Sequence, residues 1–132
     1  MIKTDKYLGI PYLHRGRDYK GCDCYGLILL ILLEKDIRLI DIEEEYDPNW
    51  SFKGKNHFIE NAHKEWANTA FPQEFDIVGF KNNEGIMYHA GVMLDSTRFI
   101  HTCRAGTVIS KITDPQWKKR IVGYFRYKND KN

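Results

Sequence analysis

Cys24 is the side chain best placed to do chemistry in this sequence. It lies in Gly21-Cys22-Asp23-Cys24-Tyr25-Gly26 and is followed at once by seven unbroken aliphatics, Leu27-Ile28-Leu29-Leu30-Ile31-Leu32-Leu33. Such a run, bounded by Glu34-Lys35-Asp36, cannot be a solvated surface and reads as an element buried on every side. Its leucines favour a helix. The flanking glycines let the chain turn sharply into that helix, which sets Cys24 in the first turn. Unpaired backbone N–H groups and roughly half a positive charge collect there, predicting a thiol pKa lowered from ~8.5 toward ~3.5–7.5. Cys24 is therefore the candidate nucleophile.

A thiol nucleophile needs a base within reach, and the base needs a third group that fixes its tautomer and orientation. His89 opens His89-Ala90-Gly91-Val92-Met93-Leu94, and His101 closes Arg98-Phe99-Ile100-His101. A reversal near Asp95-Ser96-Thr97 returns the second segment beside the first and sets the two imidazoles on neighbouring strands. Cys24, His89 and His101 then meet where the helix joins the sheet.

Other readings compete for the same residues. Cys22-x-Cys24 with His101-x-Cys103 supplies ligand types that suit tetrahedral zinc, but zinc knuckles usually place two or more residues between paired ligands. No metal is expected. Cys22 and Cys103 read as structural thiols, the usual state of a free cysteine. His57, Glu60 and His63 recur at three-residue steps, which is not the two-histidine metalloprotease spacing and reads as a solvated helix face. Lys118-Lys119-Arg120 with Tyr124, Arg126 and Tyr127 mixes basic and aromatic residues as single-strand binders do. The whole chain, however, carries a net charge of only +2, which argues against a nucleic-acid partner.

The elements that must position these groups follow from the rest of the chain. Lys3 to Leu8 can form a short helix, stopped by Gly9-Ile10-Pro11. Tyr12 follows, and then a polar loop from His14 to Gly21. Asp36 to Lys55, with its Glu43-Glu44-Glu45 patch, has no clean period. Asn56 can cap a second helix running to about Trp66, with Phe58, Ile59, Ala62 and Trp66 on one stripe. From Phe75 the pattern changes to short Val/Ile/Phe/Tyr runs divided by turn residues, and the strands predicted are Asp76–Phe80, Met87–Leu94, Arg98–Cys103, Thr107–Ile112 and Arg120–Tyr127. Helices first and strands afterwards indicate an α+β class, with N-terminal helices packed on an antiparallel sheet of about five strands.

The 132 residues suit a single domain over 1–132, able to bury about two thirds of its unfolded surface without staples. Three cysteines, an odd number, are read as reduced thiols. Met1-Ile2-Lys3-Thr4-Asp5-Lys6 lacks the apolar stretch of an export signal, and the aliphatic run falls far short of the ~20 residues that span a bilayer. The expectation is a chain made in the cytoplasm, with no membrane partner.

In their order and spacing these pieces resemble the NlpC family of cell-wall cysteine peptidases. The matching segments are Tyr12 before a glycine-containing loop, Asp23-Cys24-Tyr25-Gly26-Leu27 opening a helix, and Phe75-Asp76-Ile77-Val78-Gly79-Phe80 as the first core strand. They continue with the His89–Leu94 strand, the Arg98–His101 strand and the closing Ile121-Val122-Gly123-Tyr124-Phe125-Arg126. The resemblance implies a papain-like core, no cofactor, Cys24 as nucleophile, His89 as base and His101 as its orienting partner. It also implies that Tyr12 helps hold the oxyanion and that Asp23 contacts the free amino terminus of a peptidoglycan stem peptide. The amide cut by such enzymes joins γ-D-glutamate to a diamino acid. Tyr25 stands where the family usually has serine. Small members with an aromatic residue there resemble those encoded with phage tail proteins, which implies delivery to the wall by a tail. Two alternatives stay open: a non-catalytic adaptor of a tail or secretion assembly, and a thiol acyltransferase or amidase with a substrate outside the wall.

Overall fold

The computed structural model describes residues 1–38 and 66–128. Its centre is a six-stranded sheet. In chain order the elements begin with a two-residue-per-strand hairpin, β1 (Arg17–Asp18) and β2 (Gly21–Cys22), and a helix, α1 (Cys24–Leu32). Strands β3 (Trp66–Thr69), β4 (Ile77–Lys81), β5 (Met87–Met93), β6 (Arg98–Cys103) and β7 (Gly106–Lys111) follow, then a single-turn helix α2 (Pro115–Lys118) and β8 (Ile121–Tyr127). The order across the sheet is β3-β8-β4-β5-β6-β7, and every pairing is antiparallel. The α+β class is as the sequence implies, and the predicted strands fall within a residue or so of those observed.

Several expectations are corrected. The sheet has six strands rather than about five, because Trp66–Thr69 pairs with β8 in the register Trp66↔Tyr127 to Thr69↔Tyr124. Trp66 thus begins a strand instead of ending a helix, and its ring meets Tyr127 edge-on at 5.4 Å. The remainder of the predicted second helix, with His57, Glu60 and His63, and the Glu43-Glu44-Glu45 patch lie outside the described residues. The predicted Lys3–Leu8 helix is only a 3-10 turn at Thr4–Lys6. The polar loop before the thiols contains a hairpin, pairing Arg17 with Cys22 and Asp18 with Gly21.

The helix α1 is also not buried on every side. Leu27, Ile28, Ile31 and Leu32 are buried, which is one stripe at three- and four-residue spacing. Leu29 and Leu30 are only partly covered, and Leu33, just past the helix, is exposed. An unbroken aliphatic run hides its own period, so the sequence could not distinguish a stripe from a fully enclosed helix.

Strand alternation gives the sheet two unlike faces. On one, Ile77, Ala90, Val92 and Ile100 pack with the α1 stripe in a mostly aliphatic cluster that also takes in Tyr7, Trp66 and Phe125. On the other, Val78, Phe80, Met93 and Phe99 pack with Trp117 of α2. Asp114 caps α2, accepting from the Gln116 N–H at 2.9 Å, and so holds Trp117 against that face.

Candidate active site

Asp23 fixes where Cys24 sits. Its backbone is extended and its carboxylate accepts from the Gly26 N–H at 2.8 Å, the ordinary arrangement of a helix N-cap. Cys24 is therefore the first residue of α1. The glycines matter for close approach and not for turning. A Cβ on Gly26 would lie 2.0 Å from the Gly16 carbonyl oxygen, and one on Gly16 would lie 2.3 Å from the Gly21 carbonyl oxygen. Only glycine lets the preceding loop lie this tightly against the helix start.

The ladder between β5 and β6 is short. It consists of Val92↔Ile100 and Met93↔Phe99, although β5 begins at Met87 and β6 runs to Cys103. The Ala90 N–H lies two residues from that of Val92 and so points the same way along the strand. It is directed at the Cys24 sulfur, as is the Tyr25 N–H, and both favour the thiolate. The nucleophile candidate thus sits at the opening between two strands, against the backbone of Ala90, the residue that follows His89.

His89 and His101 are brought together. Continuing the β5–β6 register sets Gly91 opposite His101, with His89 on the diagonal. Diagonal neighbours lie within reach of long or aromatic side chains, and here His89 Nε2 and His101 Nδ1 are 2.7 Å apart. Gly91 makes this possible. A Cβ there would fall 3.1 Å from the His101 Cβ and 2.9 Å from Phe99 Cδ2, displacing the imidazole. The second nitrogen of His101, Nε2, lies 2.9 Å from Ser110 Oγ on β7.

Aromatic rings enclose the pair. Phe80 and Trp117 stack on His89 with centroids 5.7 and 5.6 Å away. Trp117 also meets His101 edge-on at 4.9 Å, and Phe99 lies 4.6 Å from the same ring. Burial drives both imidazoles toward the neutral form, His89 to a pKa of about 3, with the neighbouring His101 a smaller cause, and His101 to about 4. The Cys24 thiol is pushed up to about 12, by burial first and by the Asp23 charge second, against the two N–H donors. The predicted depression of the Cys24 pKa is therefore overturned. The helix start is present, but desolvation outweighs it. At rest the thiol and both imidazoles are neutral.

Tyr12 lies near enough to the thiol to interact with it electrostatically. It forms a parallel bridge to Cys22, secured by the Cys22 N–H donating to the Pro11 carbonyl and the Leu13 N–H donating to the Cys22 carbonyl, each at 3.0 Å. Burial raises its hydroxyl pKa, with Asp23 and Cys24 also raising it and Arg104 opposing. The Arg104 guanidinium is 5.6 Å from the ring centroid. Asp23, beyond its capping bond, accepts from the Arg15 N–H and from Arg17 Nη1, both at 3.0 Å. Arg17 in turn lies 5.5 Å from the Tyr25 ring. Sequence reasoning missed Arg17, Ser110 and Trp117, since nothing in their spacing marks them.

The other thiols are engaged elsewhere. Cys22 is fully buried, with its sulfur 3.4 Å from Thr102 Oγ1. Thr102 and Thr107 hydroxyls are 2.6 Å apart, and Thr107 donates to the Ile10 carbonyl at 3.0 Å. This buried chain ties β2 to β6, β7 and the N-terminal segment. Cys103 donates to the Gly106 carbonyl at 3.5 Å. Among the described residues no group of three or more His, Cys, Asp or Glu side chains could hold a metal ion, so the Cys22, Cys24, His101 and Cys103 set does not converge.

Comparison with solved structures returns the same fold. An NlpC/P60 family protein from Bacillus cereus ATCC 10987 is 21% identical with a TM-score of 0.64, over 92% of this chain and 36% of that one. A protein described as similar to lipoprotein, NLP/P60 family, from Staphylococcus aureus subsp. aureus Mu50 is 20% identical with a TM-score of 0.66, over 92% of this chain and 37% of that one. The chain thus spans little more than a third of these two proteins. The NlpC/p60 domain of peptidoglycan hydrolase SagA is 21% identical with a TM-score of 0.60, over 91% of this chain and 88% of that one. The family model described as NlpC/P60 matches residues 9–126, from just before Tyr12 to nearly the end of β8. The chain belongs to the NlpC/P60 family.

Proposed function

We propose that this chain is a cysteine peptidase that hydrolyses an amide bond of peptidoglycan stem peptides, between γ-D-glutamate and a diamino acid. The observation that carries the reading is the 2.7 Å His89–His101 contact, on a strand whose Ala90 N–H faces the thiol at the helix start. Membership of the NlpC/P60 family and the likeness to the domain of a peptidoglycan hydrolase support the substrate class.

In this reading Cys24 gives its proton to His89 Nδ1 as sulfur bonds to the amide carbonyl carbon. The resting pair is neutral, so charge separates only as the bond forms and His89 acts as a general base. The oxyanion is held by the Cys24 backbone N–H and the Tyr12 hydroxyl, donors aimed before the reaction and worth a few kcal/mol each. Collapse expels the amine, which takes the proton from His89 and leaves a thioester on Cys24. Water then attacks the thioester, losing a proton to His89, and the acid departs as the thiol re-forms. His101 orients His89 throughout. Asp23 contacts a substrate amino terminus by sharing its carboxylate with Arg17.

Delivery to the wall by a phage tail or similar apparatus belongs to this reading. It rests on the resemblance of the Cys24-Tyr25 pair to small tail-associated members. The test is mass spectrometry of purified peptidoglycan incubated with wild type and with Cys24→Ala. New stem-peptide fragments made by the wild type alone, ending at γ-D-glutamate, are expected. Intact walls of every stem-peptide type after incubation with folded wild type would favour the adaptor or the acyltransferase.

A further inference from the structure

His89, His101 and Ser110 form a slanting row across β5, β6 and β7. In the β6–β7 register Ser110 pairs with Phe99 and His101 with Val108, so Ser110 is the diagonal neighbour of His101 on the same face. The contacts along the row are 2.7 Å and 2.9 Å. Each ring nitrogen in it must either donate or accept. If His89 is to accept the thiol proton on Nδ1, its own proton must sit on Nε2 and point at His101 Nδ1. That nitrogen must then be bare, which places the His101 proton on Nε2, aimed at Ser110 Oγ. The opposite polarity, with the serine hydroxyl donating, reverses every member and leaves His89 protonated on the nitrogen that must act as base.

We propose that Ser110 is a positioning residue whose hydroxyl oxygen accepts the His101 Nε2–H and thereby fixes, through His101, the tautomer in which His89 Nδ1 is bare. Among the described residues, the rings packed on the pair offer no acceptor that could set the polarity. Phe80, Phe99 and Trp117 pack on them, and only Trp117 has a polar atom, a donor. Tyr88, near His89, has its hydroxyl accepting from Arg120 at 2.9 Å. Ser110 sits on the edge strand β7 and is partly exposed, so water can stand in for it in part. The expected effect is a reduction and not an abolition.

The proposal rests on His89 being the base, and its test separates the two. Ser110→Thr and Ser110→Val have nearly the same shape and differ by one hydroxyl, and both suit a strand. Long-range nitrogen–proton NMR of the histidine rings, which needs no substrate, is expected to show Nε2–H for His89 and His101 in wild type and Ser110→Thr. Ser110→Val is expected to gain the Nδ1–H form at His101. On a soluble stem peptide, kcat should fall about tenfold in Ser110→Val, the size of one lost hydrogen bond, with KM within about twofold, and return in Ser110→Thr. Unchanged tautomers in folded Ser110→Val, or a Ser110→Thr no better than Ser110→Val, would overturn the proposal. Expected tautomers in a wild type that cuts no wall would count against the peptidase reading and leave the role of Ser110 in the row standing.

Discussion

The two faces of the sheet are built from different materials for different tasks. The face under α1 is mostly aliphatic, with Tyr7, Trp66 and Phe125 in the same cluster, and its contact with Leu27, Ile28, Ile31 and Leu32 fixes the helix whose first residue is Cys24. The face under α2 is aromatic and encloses two imidazoles among Phe80, Phe99 and Trp117. Aliphatic packing positions without chemical side effects. The aromatic box positions and also desolvates, holding both histidines neutral. The short β5–β6 ladder lets Cys24 on one side reach the backbone of the strand that carries His89.

The largest effect is expected from His89→Ala, which should lower turnover of stem peptides by several orders of magnitude while the circular dichroism of the fold stays unchanged. Turnover within tenfold of wild type would remove His89 as base. Next is Trp117→Ala, which should cost ~3–5 kcal/mol of stability in denaturant titration, as for other buried aromatic truncations. It should also raise both histidine pKa values as water enters. A loss of stability with no change in histidine titration would mean that the aromatic face only packs.

A third expectation concerns acid. In the folded chain His89 and His101 titrate at about 3 and about 4, against 6.5 for an ordinary histidine. Between about pH 6.5 and pH 3 the unfolded chain therefore binds more protons than the folded one, and stability must fall as pH falls through that window. His101→Gln should flatten the decline in a melting-temperature series. An equal decline in wild type and variant would show that other groups cause it.

The smallest effects belong to the thiols away from the site. Cys103→Ala should leave turnover and melting temperature nearly unchanged. Cys22→Ala should retain turnover but lose roughly 1 kcal/mol of stability with the sulfur–Thr102 contact, the Thr102 hydroxyl keeping its bond to Thr107. Loss of turnover in either folded variant would move the catalytic thiol away from Cys24.

Much of this was legible in the sequence because the signals are local. Strand alternation in His89–Leu94 and Arg98–His101, with turn residues between, was enough to bring the histidines together. Tyr12, Asp23 and Cys24 were close already in the chain. The sign of the Cys24 pKa shift was not legible, since it depends on how much protein surrounds the sulfur and not on its place in a helix. Nor was the reason for Gly26, which is contact with the Gly16 carbonyl across a folded loop. Trp66 could not be assigned to a strand, because β3 pairs with a segment near the far end of the chain. Arg17 and Ser110 take their roles from contacts with residues six and nine positions away, Asp23 and His101, that leave no periodic trace.

The most direct test of the central claim is mass spectrometry of acid-quenched mixtures of enzyme and a stem peptide, with digestion to locate any adduct. The account predicts an acyl fragment ending in γ-D-glutamate, attached to Cys24 in wild type, and neither adduct nor product with Cys24→Ala. Cleavage by Cys24→Ala, or an acyl group on any other residue, would contradict it.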